Sequence, residues 1–422
     1  MQKITQIFRF LFAALSGIFF LCVRILWLIC ANLILKIAPK RKKDESLLVL
    51  FSQVAWCGVW QRPQEEAMGF AQKRPVLYVS PLQAHEPILR YPAWKYKEYI
   101  KTGKGLLVFS PLIFPGHYKF KWIYRLNCLL ILAELHAALA NVKQIDFFTN
   151  TPFVEYLGDR LPVSKVIYDI IDDFIAFSWA PAGADEMEKR LLKRADVVLT
   201  GTWALYEQKK DMCKEATFVP CGVDFEKFQK PAADSPLPEP EDIRALPRPI
   251  IGYTGTLSER IDAGILSGLA KRFPKASLVL IGPVHRHLDD LPALPNIHYL
   301  GLKKHSQLPA YLHHCKIALL PFKLTKAVLA INPVKTLEYL AAGCVVVSTA
   351  IPDVIRFFSN EVTIASSPDD FIEKMAQLLE SDNEERIRKG VERARNATWK
   401  NMVETMERIM GNTIDSNEQP KR

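Results

Sequence analysis

From residue 47 onward, short apolar runs alternate with segments in which apolar residues recur every three or four positions. Apolar runs bounded by turn residues predict buried strands, and the periodic segments between them predict helices. This alternation is typical of parallel sheets flanked by helices. The predicted strands are residues 47–52, 76–79, 105–110, 144–149, 166–170, 197–200, 217–220, 250–253, 278–281, 317–320, 345–348 and 362–364.

A proline-rich stretch divides this pattern into two halves. Residues 230–249 hold six prolines with acids between them, which is typical of a semi-rigid linker. Because 422 residues exceed one ordinary core, we predict two domains, residues 44–229 and 250–380, joined by the linker 230–249. Residues 375–410 have the pattern of one or two long amphipathic helices, so helices are expected over 381–411, and a disordered tail over 412–422.

The net charge of +10 is concentrated at the N-terminus. Residues 1–43 hold eight Lys or Arg and no acid, which leaves only +2 on the other 379 residues. A nucleic-acid-binding protein spreads its cations over a folded face, so this distribution favours an anionic membrane surface as the partner and argues against nucleic acid. The eight cysteines show no C-x-x-C spacing and are typical of reduced cytosolic thiols.

Residues 10–23 and 25–35 are apolar runs separated by Arg24 and followed by the basic cluster 40–43. Together they are long enough to span a bilayer, although Arg24 near the centre would cost about 2.5–3.5 kcal/mol. A helix lying in the membrane interface is the alternative, because the polar residues fall on one narrow stripe. Both arrangements predict a membrane-associated protein, anchored through residues 1–43, whose body lies at the cytoplasmic face of the inner (plasma) membrane.

Residues 332–348 have the pattern of a short capped helix followed by a buried strand. Asn332 is a favourable N-cap, Pro333 suits the first helical position, and Gly343 supplies a left-handed exit. The helix N-terminus favours an anion such as a diphosphate, and Glu338, one turn inside, can accept hydrogen bonds from both hydroxyls of a ribose. The alternative is a pair between Glu338 and Lys335, worth about 0.2–0.5 kcal/mol.

A second candidate phosphate site is the loop after residues 250–253. Gly255 lets backbone amides approach a phosphate closely, Thr256 follows it, and Arg260 lies within reach. The spacing is not that of the dinucleotide fingerprint, which disfavours a nicotinamide dehydrogenase. Lys335 is the other cation near this site, and the two cations would neutralise a diphosphate leaving group. The alternatives are a steric role for the glycine and surface pairs of Arg260 with the acids at 259 and 262.

In the first half, Asp172 and Asp173 follow the predicted strand 166–170. Either carboxylate could orient an acceptor hydroxyl or receive its proton, and the alternative is an N-cap for the next helix. No other acid or histidine is spaced to complete a metal shell, so no metal site is expected.

Aromatic and basic residues follow the first predicted strand. The ring of Trp60 could stack on a sugar or a lipid-linked acceptor, and Arg62 could reach a phosphate. The alternative is that the tryptophans here, Trp56 and Trp60, pack the domain, which is the commoner fate of tryptophan. His85 and His117, in strand-end loops, are further candidate acceptor contacts.

These stretches together resemble the GT-B fold group-1 glycosyltransferases, the family-4 retaining type, particularly the bacterial members that build surface polysaccharides. The resemblance runs from about residue 47 to residue 410 and implies an α/β protein with two Rossmann-like domains facing across a cleft. It implies that the second domain holds a nucleotide-sugar and the first an acceptor, with no cofactor and no metal. The stretches that carry it are residues 60–64, 168–174, 222–224, 252–257, 281–283, 301 and 332–348.

Two positions depart from the family pattern. Glu338 matches the second acid of the family's E-x7-E pattern, which is associated with the donor ribose, but the first acid falls at Ala330. Its contact to the sugar would need another group, such as N–H groups around Ile331 and Asn332. Arg260 matches the arginine of the family's phosphate pair, but no lysine matches in the following helix.

The resemblance implies a hexosyltransferase that uses a nucleoside-diphosphate sugar and a saccharide or lipid-linked saccharide acceptor in cell-surface polysaccharide biosynthesis. Two alternatives remain: a sugar-nucleotide epimerase on the same fold, and a degenerate homologue acting as a scaffold, suggested by Ala330. The candidate catalytic residues are Asp172, Asp173 and Lys335; the candidate donor-binding residues are Gly255, Thr256, Arg260, Asn332, Lys335 and Glu338; and the candidate acceptor-binding residues are Trp60, Arg62, His85 and His117.

Overall fold

The computed structural model describes residues 46–56, 60–80, 94–95, 105–111, 120–139, 142–177, 180–231, 237–284, 290–326 and 328–412. The predictions for residues 1–43, for His85 and His117, and for the tail beyond residue 412 lie outside the described residues. Among the helices that the model describes, none combines the length and apolar character that crossing a bilayer requires.

The described residues form two compact units, each built on its own sheet. The second unit comprises Thr200–Gln208 and Phe218–Arg408, and the other described residues form the first. Both units are parallel-sheet α/β structures, as predicted.

The first unit contains an eight-stranded sheet in the order β3-β4-β2-β1-β5-β6-β7-β8. β1 pairs in parallel with β2 and β5, and β3 is antiparallel to β4. All five residues of β1 are buried, as is typical of a central strand in a parallel sheet. The strands are β1 (Leu47–Phe51), β2 (Val76–Val79), β3 (Trp94–Lys95), β4 (Leu106–Phe109), β5 (Ile145–Thr149), β6 (Val163–Ile170), β7 (Val197–Thr200) and β8 (Ala216–Phe218), and the helices in this part of the chain are α1 (Arg62–Phe70), α2 (Lys121–Ala138), α3 (Glu155–Gly158), α4 (Ala184–Arg194) and α5 (Trp203–Lys209).

The second unit contains a six-stranded sheet in the order β11-β10-β9-β12-β13-β14, and its strand pairs are parallel. Apolar residues from the strands and from the helices on both sides form its core. The strands are β9 (Ile250–Thr254), β10 (Ser277–Ile281), β11 (Ile297–Gly301), β12 (Ile317–Leu320), β13 (Val345–Thr349) and β14 (Val362–Ala365), and the helices are α6 (Phe225–Phe228), α7 (Glu241–Arg244), α8 (Ala263–Arg272), α9 (Leu308–His313), α10 (Val334–Ala341), α11 (Pro352–Phe358), α12 (Pro368–Glu380), α13 (Glu384–Asn396) and α14 (Trp399–Asn412).

Every strand predicted from the sequence is present, with ends that differ by at most three residues. The prediction missed β3 and β11. β11 lies at the edge of its sheet, where only Ile297 is buried and the other positions are half-buried or exposed. A strand of this kind carries no continuous apolar run, so the pattern used for the buried strands does not detect it.

The boundary between the units differs from the predicted linker at 230–249. Val223 and Phe228, before that stretch, are already buried in the core of the second unit. Ile243 on α7, within it, is fully buried against Ile250 and Val279. The described part of this stretch that contains Ile243 is therefore packed against the second sheet and is not a free linker.

The end of the second unit also differs from the prediction, since three helices replace the expected one or two. Asn383 donates its side-chain N–H to the carbonyls of Leu378 and Ser381, which closes the end of α12. Between α13 and α14 the backbone pairs with Val223, whose N–H bonds to the Ala397 carbonyl at 2.9 Å. Both interruptions arise from hydrogen bonds that the helical periodicity does not show.

Candidate active site

The helix that carries Glu338 ends as the sequence predicts. Gly343 has a φ of 69°, in the left-handed region. Its N–H donates to the Leu340 carbonyl at 3.0 Å, and the Cys344 N–H donates to the Tyr339 carbonyl at 2.9 Å. This pair of bonds is a Schellman motif, which satisfies the last carbonyls of α10 and leads directly into buried β13.

The start of this helix differs from the prediction. Helix α10 begins at Val334, and Pro333 occupies the N-cap position without a side-chain capping bond. Burial raises the pKa of the Asp353 carboxyl, and the nearby side chain of Asn332 partly offsets that rise. Asp353 is almost fully buried and accepts a hydrogen bond from the Trp203 N–H at 2.9 Å. Asn332 therefore lies one residue before the N-cap position and does not cap the helix.

The glycine loop after β9 approaches a neighbouring backbone closely. Gly255 has a φ of 144° and donates its N–H to the Ile281 carbonyl at 2.8 Å. Gly282 has a φ of 148°, and a Cβ added there would overlap the Gly255 carbonyl oxygen. Two glycines are required here because the two loops contact each other backbone to backbone.

Lys335 lies directly on this loop, which joins the two predicted phosphate sites. A Cβ added to Gly255 would overlap Lys335 Cε and would lie 2.9 Å from the Tyr253 hydroxyl. The Tyr253 hydroxyl donates a hydrogen bond to the backbone carbonyl of Thr256 at 3.2 Å. Thr256 itself is exposed. The structure therefore brings Gly255, Thr256 and Lys335 together, as a common donor site requires.

Arg260 is near the same loop. Burial raises the pKa of the Tyr253 hydroxyl, and the positive charge of Arg260 partly offsets that rise. Among the described residues, neither Arg260 nor Lys335 forms an ion pair with a carboxylate. The alternative pair of Arg260 with Asp262 does not form, because Asp262 Oδ1 caps α8 by accepting from Gly264 and Ile265. Two cations are therefore available for an anionic ligand.

Glu338 has a partner that the sequence analysis missed. Its Oε1 atom lies 3.2 Å from Nε2 of His305, and its side chain is only 12% exposed. On the other side of the ring, Nδ1 lies 2.9 Å from Nζ of Lys227. No sequence signal links these positions, since His305 is 33 residues from Glu338 and 78 from Lys227. The predicted alternative, a pair between Glu338 and Lys335, is not formed.

Ala330 stands where the family pattern has its first acid, and the neighbouring Ile331 N–H is the group that could replace its contact. Ala330 ends a short 3-10 helix, Val328–Ala330. The Ile331 N–H donates to the Val328 carbonyl at 3.3 Å, so this turn already uses it. The Ile331 N–H is therefore already engaged, and a sugar contact from N–H groups around Ile331 and Asn332 stays a prediction.

In the first unit, the two predicted acids follow β6. Asp172 Oδ1 accepts the Asp173 N–H at 2.9 Å. Asp173 precedes the 3-10 helix Phe174–Ala176 but forms no side-chain capping bond, and its Oδ1 atom is buried without a hydrogen-bond partner among the described residues. The capping alternative for Asp173 thus lacks the bond that defines it, and the catalytic role stays a prediction.

Arg62 lies in the interior and not on an acceptor surface. Only 4% of its side chain is exposed. Its Nη2 atom lies 2.7 Å from Asp169 Oδ1, and its Nε atom lies 2.7 Å from Glu66 Oε1. A buried guanidinium needs acidic partners, and these two buried carboxyl groups provide them. The predicted phosphate contact of Arg62 is therefore wrong.

Of the two tryptophans in this region, one packs the domain and the other remains available to stack on a sugar. Trp56 is buried against Tyr78, with ring centroids 4.9 Å apart, so it packs the domain. Trp60 is 40% exposed and donates its ring N–H to Glu65 Oε1 at 2.7 Å. The exposed part of its ring could stack on a sugar, and this role stays a prediction.

Comparisons with known proteins agree with this architecture. Residues 260–408, about a third of the chain, match the family model described as Glycosyl transferase-like. TuaH of Bacillus subtilis (strain 168), which is assigned by its name to teichuronic acid biosynthesis as a glycosyltransferase, is 24% identical over 285 residues, covering 62% of this chain and 70% of that protein.

Two solved structures show the same fold at low identity. Sucrose-phosphate synthase (tll1590) from Thermosynechococcus elongatus superposes with a TM-score of 0.67 at 16% identity, covering 87% of this chain and 99% of that one. Anabaena Alr3699/HepE in complex with UDP and glucose superposes with a TM-score of 0.61 at 12% identity, covering 88% and 100%.

The family model and the relative both belong to glycosyltransferase-like proteins, and the solved structures share the fold of this chain. The matched region 260–408 contains Arg260, the Ala330 position, Lys335 and Glu338, whereas Gly255 lies just before it. The family likeness and the two cations available for a ligand therefore fall in the same unit.

Proposed function

We propose that this protein transfers a sugar from a nucleoside diphosphate to a saccharide or lipid-linked saccharide acceptor during the synthesis of a cell-surface polysaccharide. The observation that carries the proposal is the convergence of Lys335 on the Gly255 loop, one helical turn before Glu338. The cation and the glycine loop suit the diphosphate of a nucleotide-sugar, and the carboxylate one turn further suits its ribose.

The chemistry follows from charge. When the bond between the sugar and the diphosphate breaks, negative charge develops on the departing phosphate, and Lys335 and Arg260 would stabilise it. The N-terminus of α10 would add a partial positive charge. Glu338 would hold the ribose, since an ionised carboxylate accepts hydrogen bonds from hydroxyls. In the first unit, Asp172 or Asp173 would orient the acceptor hydroxyl or take its proton.

The comparisons guide the choice of substrates. HepE was solved in complex with UDP and glucose, so a UDP-sugar is the first donor to test. TuaH carries a name that refers to teichuronic acid biosynthesis, so a precursor of a surface polysaccharide is the first acceptor to test. We further propose that transfer retains the anomeric configuration and needs no metal or cofactor, as the family resemblance implies.

A binding and transfer experiment tests the proposal. UDP, GDP and ADP, with their hexose conjugates, are screened for thermal stabilisation; a ligand at 100 times its Kd adds about 2.7 kcal/mol to the free energy of unfolding. Glu338→Ala is expected to stay folded, to bind the nucleotide more weakly and to lose transfer. The matched control is Glu373→Ala, because Glu373 is an exposed acid on α12 in the same unit.

Three outcomes distinguish the candidate functions. Transfer by the Glu338→Ala variant at the wild-type rate would contradict the assignment. Conversion of the nucleotide-sugar without an acceptor would favour the epimerase. A wild-type protein that binds no nucleotide would favour the scaffold.

A further inference from the structure

His305 connects Glu338 to a lysine on a different element. His305 begins the 3-10 helix His305–Gln307, and its ring lies between Glu338 Oε1, at 3.2 Å, and Lys227 Nζ on α6, at 2.9 Å. The ring also packs edge-on against Phe228, with centroids 5.3 Å apart. Phe228 is fully buried, so three elements fix the orientation of the imidazole.

The chemistry of Lys227 sets the direction of both hydrogen bonds. A lysine ammonium can only donate, so Nδ1 of His305 must be the acceptor. The ring proton then lies on Nε2, which donates it to the carboxylate of Glu338. A carboxylate lies near the same lysine, since Asp224 Oδ2 is 3.9 Å from the ammonium.

We propose that His305 is a positioning residue that prepares Glu338 for the ribose of the nucleotide. The inference depends on the proposed function, because it assumes that Glu338 binds the ribose. A carboxylate offers about four acceptor positions, so one bond from His305 leaves enough for the two ribose hydroxyls.

The ring also keeps two opposite charges apart. Lys335 lies one turn before Glu338 on the same helical face, at the i,i+3 spacing that favours ion pairs. Without the N–H of His305, Glu338 is free to turn toward Lys335. An ion pair between them would occupy both side chains, so neither the ribose nor the phosphate of the ligand could bind them.

The test compares a ribonucleotide with its 2′-deoxy counterpart by calorimetry. The probe is UDP, GDP or ADP, whichever binds the wild-type protein most tightly. His305→Leu removes the donor, and His305→Gln keeps an N–H at a similar distance. A hydrogen bond to a charged group contributes roughly 1.5–3 kcal/mol, which corresponds to a tenfold or greater loss of affinity for the ribonucleotide in His305→Leu.

The deoxynucleotide makes the test specific. Because the lost contact acts through the ribose, His305→Leu is expected to weaken the deoxynucleotide much less, so the ratio of the two affinities should fall toward one. His305→Gln should keep the wild-type ratio. Lys227→Met removes the donor to Nδ1, so it should also reduce the ratio, although less than His305→Leu.

The failures are distinguishable. If wild-type protein binds a ribonucleotide but His305→Leu keeps the same ratio, or weakens both nucleotides equally, the inference is overturned and the proposed function stands. If the wild-type protein binds none of the three nucleotides, the proposed function is overturned together with it. Nitrogen-15 chemical shifts that place the His305 proton on Nδ1 would overturn the assigned tautomer and the inference.

Discussion

The aliphatic chain of Lys335 lies against the backbone of Gly255. A Cβ at this glycine would overlap Lys335 Cε and would lie 3.2 Å from Cδ. The glycine also has a φ of 144°, which side chains of L-residues rarely adopt. The first turn of α10 and the loop after β9 can therefore meet only because position 255 lacks a side chain.

This relationship predicts that Gly255→Ala will damage ligand binding as well as stability. We expect the free energy of unfolding to fall by roughly 1–3 kcal/mol from backbone strain, and UDP affinity to fall because Lys335 must move. The measurements are urea unfolding and calorimetry. Gly183→Ala is the control, because Gly183 has a φ of 84° with no atom within 4 Å of the added Cβ. Wild-type UDP affinity in Gly255→Ala would refute the prediction.

Lys335→Met separates the phosphate contact from the packing of the same side chain. Methionine keeps an unbranched chain against Gly255 but removes the ammonium. We expect affinity for UDP to fall about tenfold, as loss of a charge-assisted bond implies, while affinity for uridine, which has no phosphate, stays unchanged. Lys271→Met on α8 is the control, since Lys271 is exposed. Equal losses for UDP and uridine would show that Lys335 does not contact the phosphates.

The parallel α/β fold and the turns that border the proposed donor site follow from local sequence patterns. Gly343 ends α10 because the left-handed exit and the buried strand after it are visible within a few residues. The loop at Gly255 is visible for the same reason. Local patterns therefore locate the elements and the turns between them.

Contacts between distant residues were beyond those patterns. The bond from His305 to Glu338 joins two elements, and neither residue shows by its neighbours that the other is its partner. Asn332 is a good N-cap by residue type, but the helix begins one residue later and Pro333 occupies the N-cap position. The sequence around Arg62 is compatible with a surface position, and only the structure shows that Glu66 and Asp169 bind its guanidinium in the interior.

Residues 1–43 are predicted to hold the protein at a membrane. Deleting them should release the protein from membrane fractions, because eight cations and two apolar runs are lost. Vesicles containing phosphatidylglycerol should bind the full chain more tightly than neutral vesicles do. Extraction by alkaline carbonate would indicate an interfacial helix, and extraction only by detergent would indicate a spanning one. Unchanged membrane association after the deletion would refute the anchoring role.

The buried cluster around Arg62 predicts opposite effects for its two acids. Burial, together with the neighbouring Asp169, raises the pKa of Glu66 well above its ordinary range. Asn150 donates to both carboxylates, at 3.2 Å to Glu66 and 3.1 Å to Asp169. Arg62 therefore balances one negative charge, that of Asp169, and Glu66 favours its protonated form.

A carboxyl with a raised pKa binds its proton more tightly in the folded state than in the unfolded state. Its contribution to stability is therefore full at low pH and is lost as the pH rises above the ordinary carboxyl range toward the folded pKa. Glu66→Gln mimics the protonated form, so it should reduce the loss of stability as the pH rises above about 5. Asp169→Asn should instead cost roughly 3–5 kcal/mol, because it leaves Arg62 buried without its charge partner. Urea unfolding of both variants measures the difference, and similar losses in the two would contradict this division of charge.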